Sequence, residues 1–185
     1  NKGDRENSLY ASVELSLRRL PLELRPLVNK LAVIHGGANL FILSEVMGID
    51  ADSTSAVAKM LIGVGMADMQ EYNYLRLDPA LPAYLKLTHD PSTSSGQAQL
   101  AELETAWAEA MVQLVDFLYG QRSKDSRLQA RLTLLELPNL LALLDWLEGQ
   151  LAAKDAAATK DAAAETVRLA ETVSRTARYI EQLLA

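Results

Sequence analysis

A chain of 185 residues, 49% hydrophobic and 23% charged, can bury one sizeable core or two smaller ones. The absence of Cys excludes disulfides, thiolate chemistry and Cys-based zinc sites, and it suits a reducing, cytoplasmic compartment. The formal net charge is −6, with 11 acidic against 9 basic side chains in residues 1–96 and 13 against 9 in residues 97–185, so neither half offers the clustered cations that nucleic-acid binding needs.

Leu and Ala dominate and aromatics make up only 5%, which favours helix over sheet. No uninterrupted apolar run reaches about 18 residues, so no membrane span is expected. No signal peptide is expected before Ser8. The chain opens on Asn1 and closes on Leu184-Ala185, and the expectation is that it is a piece of something longer.

Leu9, Val13, Leu17 and Leu20 recur at helical spacing until Pro21 ends the first helix. Leu24, Leu27, Leu31 and Ile34 give a second, with Pro26 in its first turn and Gly36-Gly37 as its stop. A third runs from Asn39 to Met47 and stops at Gly48. Asp52 or Ser53 is expected to cap a fourth, which carries Val57, Met60, Leu61 and Val64. The period then changes. Ala67–Glu71 and Tyr74–Asp78 flank a tight turn at Tyr72-Asn73, with Leu75 and Leu77 on one face and Tyr74 and Arg76 on the other. Pro79 opens a last short helix with Leu81, Tyr84 and Leu85. Helices, a small β-hairpin and a closing helix over residues 1–88 make a winged helix-turn-helix arrangement.

Residues 89–96 are polar, carry Pro91 and Gly96, and read as a linker. Residues 97–185 read as helical throughout. Leu100, Leu103, Trp107, Met111, Leu114 and Phe117 mark one long amphipathic helix ended by Gly120. Leu128, Leu132 and Leu135 begin the next; Pro138 breaks or kinks it before Leu140, Leu144, Leu147 and Leu151 continue the period. Lys154–Ala164 repeats Lys-Asp-Ala-Ala-Ala and reads as a helical spacer. Leu169, Val173, Ala177, Ile180 and Leu184 form a final helix. The pattern suggests antiparallel α-hairpins of tetratricopeptide (TPR-like) type, although no clean 34-residue period is present. A solenoid cut at this point would leave Ile180, Leu183 and Leu184 uncovered.

The segments Leu20-Pro21, Leu24-Arg25 and Leu31–Ala38 resemble the opening of the winged-helix domain in STAND ATPases of the NB-ARC type. Tyr74–Leu85 resembles the end of that domain, and Leu135–Leu147 looks like the first helical hairpin after it in bacterial members with TPR-type repeats. The resemblance covers most of 9–87 and about 97–151. It implies a joint between an ATPase module and a repeat sensor, with protein partners, neither membrane nor nucleic acid, and nucleotide machinery outside this chain. It also implies that Asp78 stands where the family carries a His that contacts the ADP phosphate. A carboxylate cannot make that contact, and Asp78-Pro79 is equally a helix cap followed by a first helical residue.

No catalytic, metal or cofactor site is expected. A phosphate loop needs a Lys with Ser or Thr after its glycines, and Gly36-Gly37 and Gly63-Val64-Gly65 lack it. His35 and His89 share no helix face, and no third metal ligand accompanies them. Ser92, Ser94 and Ser95 have no base beside them in the sequence. Glu102, Glu104 and Glu109 read as a solvated helix face, and Trp107 and Trp146 as packing residues. The readings left open are a regulatory segment of a STAND-type ATPase, a DNA-binding regulator and a stand-alone helical-repeat adaptor. The would-be reading helix offers Asp50, Asp52, Ser53, Thr54, Ser55 and a single Lys59, which weighs against DNA.

Overall fold

The computed structural model describes residues 2–89, 93–156 and 163–185. The fold is mainly helical, with eight α-helices among the described residues and one small antiparallel sheet. It divides into two compact units, Asn1–Ala110 and Met111–Ala185. This division falls within one helix. Of the polar stretch at 89–96, His89 and Thr93 lie between α5 and α6, residues 94–96 form the first turn of α6, and residues 90–92 lie outside those described.

In unit 1, α1 spans Lys2–Leu17 and α2 spans Arg25–Asn29, with Pro26 in its first turn as expected. A 3-10 segment, Lys30–Val33, continues α2 and is buried at Leu31, Ala32 and Val33. The glycines that follow do more than stop a helix. Gly37–Asn39 forms a strand, β1, paired antiparallel with β3 at Gly37↔Arg76, Ala38↔Leu75 and Asn39↔Tyr74. The expected hairpin is therefore a three-stranded sheet in the order β1-β3-β2, with β2 at Ala67–Met69 and β3 at Tyr74–Leu77. As the central strand, β3 buries Tyr74 as well as Leu75 and Leu77 and leaves only Arg76 exposed, so both of its faces carry buried side chains. Gly37 permits this pairing. An added Cβ there would lie 2.5 Å from the Leu75 carbonyl oxygen and 2.8 Å from the Arg76 Cα. Tyr72 and Asn73, with φ of 55° and 56°, turn the chain between β2 and β3.

Helix α3, Leu40–Met47, is capped by Asn39, whose side chain accepts from the Phe41 N–H. It ends on Gly48 in the left-handed region, as anticipated. Helix α4, Ala51–Gly63, starts earlier than expected. Its cap is Asp50, which accepts from the Ser53 backbone N–H at 2.9 Å and hydroxyl at 2.8 Å. Those two bonds hold the Asp50 carboxyl below its ordinary pKa. Helix α5, Ala80–Thr88, packs against the 3-10 segment and α1. Leu31, Ile34, Ile42, Leu61, Leu75 and Leu81 are among the core residues of this unit.

Helix α6 spans Ser94–Gln121; its stretch up to Ala110 belongs to unit 1 and the remainder to unit 2. Helix α7 runs unbroken through Ser126–Ala156 despite Pro138. Pro138 and Leu134 are both exposed, so water can take the Leu134 carbonyl that loses its donor. Helix α8, Ala163–Leu184, packs on α7. Tyr119 of α6 and Tyr179 of α8 stack with ring centroids 3.8 Å apart. Ile180 is 1% and Leu183 8% exposed, so the face expected to stand open at the C-terminal end is covered; Leu184 alone remains exposed. The repetitive spacer at 154–164 falls largely outside the described residues.

Candidate functional site: the strand-to-helix junction at Asp78

Asp78 lies where β3 runs into α5, half-buried, in a hollow of about 380 Å3 that Gly36, Gly65, Asp68 and Arg76 also line. The backbone N–H, the backbone carbonyl and one carboxylate oxygen of Asp78 are all used locally. Its N–H donates to the Met66 carbonyl at 2.9 Å, and its carbonyl accepts from Leu81 at 2.9 Å. Its carboxylate Oδ1 accepts from the Ala80 N–H at 2.8 Å. The side chain thus supplies the first-turn acceptor that α5 needs. Arg76, the cation of the hollow, pairs with Asp68 at 3.1 Å, and both side chains are more than half exposed. Two carboxylates against one guanidinium leave the hollow with negative charge, which disfavours a phosphate in it.

The other candidates are dispersed. The His35 ring packs on Trp107 at 5.4 Å between centroids; burial, with a smaller effect from the Lys86 charge, holds the imidazole below its ordinary pKa. The Trp107 indole N–H is buried without a hydrogen-bond partner among the described residues. The His89 Nε2 lies 3.1 Å from the Asn29 carbonyl oxygen. No group of three or more His, Asp or Glu side chains able to hold a metal occurs among the described residues. Ser94 and Ser95 open α6, and Ser92 lies outside the described residues. Glu102 and Glu109 are exposed and Glu104 is half-buried, while Trp107 is buried and Trp146 half-buried.

Two side-chain groups escaped the sequence reading. Glu14 of α1 accepts from the Tyr84 hydroxyl of α5 and from Arg18 at 3.0 Å. The Tyr84 bond, then the Arg18 bond, lower the Glu14 pKa, and the carboxylate in turn raises that of Tyr84. In α7, Gln129, Thr133, Glu136 and Asn139 are buried along one face, with Asn139 donating to Glu136 at 2.8 Å. Their spacing of four, three and three residues follows the helical period and was the available signal.

Comparison with family models, with curated proteins and with solved structures gives no match. No helix among the described residues is long and apolar enough to cross a membrane.

Proposed function

We propose that this chain is a non-catalytic regulatory and protein-interaction segment of a STAND-type signalling ATPase: a winged-helix domain followed by TPR-like helices, joining a nucleotide-binding module outside the chain to a helical-repeat sensor. The order of elements in unit 1, with a short strand before α3 and a hairpin before α5, supports the winged-helix reading. The observation that carries the choice of role is the solvent face of α4. In a DNA-reading winged helix this helix meets base edges and phosphates with Arg, Lys, Asn or Gln. Here the exposed positions are Ala51, Asp52, Ser53, Ala56, Lys59, Met60, Ile62 and Gly63, and the N-terminal cap is the Asp50 carboxylate. One ammonium against two carboxylates cannot supply the counterion release that drives duplex binding. A surface of this kind suits contact with protein.

The test is a titration of labelled duplexes of varied sequence. Weak or no binding is expected at low salt, vanishing at physiological salt. Sub-micromolar binding that survives physiological salt would return the chain to the DNA-binding class.

A further inference from the structure

We propose that the groove between α3 and the unit 1 portion of α6 is a docking site for a basic amphipathic segment of a partner protein, whose arginine or lysine is held between Glu45 and Glu102. The groove encloses about 540 Å3 within unit 1, away from the α4 face discussed above. Its apolar wall includes Pro26, Val46, Leu103 and Ala106. Apolar lining with a few placed polar groups is the usual composition of a specific site.

The charges in the groove decide the occupant. Glu45 projects from α3 and Glu102 from α6, and neither carboxylate has a hydrogen-bond or ion-pair partner among the described residues. The cation that lines the same groove, Lys30, is fixed on its wall and offsets one of the two carboxylates, which leaves the groove with net negative charge. The Lys30 ammonium donates to the Met47 carbonyl at 2.7 Å, at the C-terminal end of α3, where the helix dipole also favours it. His89 is held on the Asn29 carbonyl. Two uncommitted carboxylates beside an apolar wall call for a cationic head on an apolar body. A Lys or Arg stem on a helix beside Leu-type neighbours has that form. Phosphate-bearing ligands, whether nucleic acid or anionic lipid, would be repelled.

The probe is an acetylated amphipathic peptide built of leucine and arginine, with a leucine–glutamate counterpart, titrated into the full chain and followed by backbone NMR. The leucine–arginine peptide should shift the amides of Val46, Leu103 and Ala106, and the counterpart should not. Glu45→Gln and Glu102→Gln should each weaken binding roughly threefold to fivefold, the range of a single exposed ion pair. Both side chains are exposed, so these variants keep their fold. Glu109→Gln, on the same helix but outside the groove, should leave affinity unchanged and so separates site binding from general attraction to an acidic protein. Shifts absent from the groove, an equally bound glutamate peptide, or a Glu109→Gln effect as large as that of Glu102→Gln would each overturn the proposal.

Discussion

Replacing Asp78 by Ala should destabilise the chain by about 1 to 2 kcal/mol. The backbone bonds of residue 78, to Met66 and from Leu81, do not depend on its side chain and survive. Pro79 has no N–H to lose. What disappears is the acceptor of the Ala80 N–H at 2.8 Å. Deleting a helix-capping acceptor costs about 1 kcal/mol. Ala80 is only 6% exposed, so its freed donor is poorly placed to find water, which moves the expectation toward 2 kcal/mol. With a urea slope of about 2 kcal/mol per molar, the midpoint for unit 1 should fall by roughly 0.5 to 1 M. Amide exchange in α5 is the local readout, because the first turn of that helix loses its acceptor. Asp78→Asn retains a side-chain oxygen and should recover most of the loss. An unchanged midpoint for Asp78→Ala, or an Asn variant as damaged as the Ala variant, would refute the capping account.

Gly37→Ala should cost several kcal/mol and detach β1, since its methyl would meet the backbone of Leu75 and Arg76 at 2.5 and 2.8 Å; loss of the Gly37–Arg76 cross-strand contact by NMR checks this. Tyr84→Phe should move the Glu14 titration back toward the ordinary carboxylate value, because the Tyr84 hydroxyl is the first cause of its lowering. With a folded pKa below the unfolded one, this bond stabilises above the unfolded value and is lost as pH falls through the folded value, so the variant should also lose less stability on acidification. An NMR titration of Glu14 unchanged by the substitution would contradict that. Ile180→Ala should cost about 2 to 4 kcal/mol in a denaturant melt of unit 2, as for a buried core residue; a cost near zero would mean that this face is open after all.

The helices were legible because their signals are local. Leu31, Leu61 and Leu85 fall on apolar periods, Gly48 marks a left-handed stop, and Asp78-Pro79 announces the start of α5. Strand β1 was not legible: three residues, Gly37-Ala38-Asn39, are too few for an alternation to show, and their conformation comes from β3, more than thirty residues on. The cap of α4 was misplaced from Asp50 to Asp52 or Ser53 because several capping residues lie within one turn and only backbone geometry chooses among them. Pro138 reads as a break or a kink; the helix passes through it, where water can satisfy the freed carbonyl, so there is no break. The Glu14–Tyr84 bond joins positions 70 apart, and nothing in either local sequence points to the other. The groove at Glu45 and Glu102 likewise needs α3 and α6 brought together, which no periodicity reveals.

The reading proposed above is that this chain joins a nucleotide-binding module to a helical-repeat sensor in a signalling ATPase. On that reading a longer protein carries the chain, and the most direct measurement is hydrogen–deuterium exchange on that protein with ADP and then with a non-hydrolysable ATP analogue. The account predicts that exchange in residues 66–80, the hairpin and the junction at Asp78, changes between the two nucleotides while the α7 core stays protected in both. Identical exchange in the two states, or a parent protein that binds neither nucleotide, would contradict it.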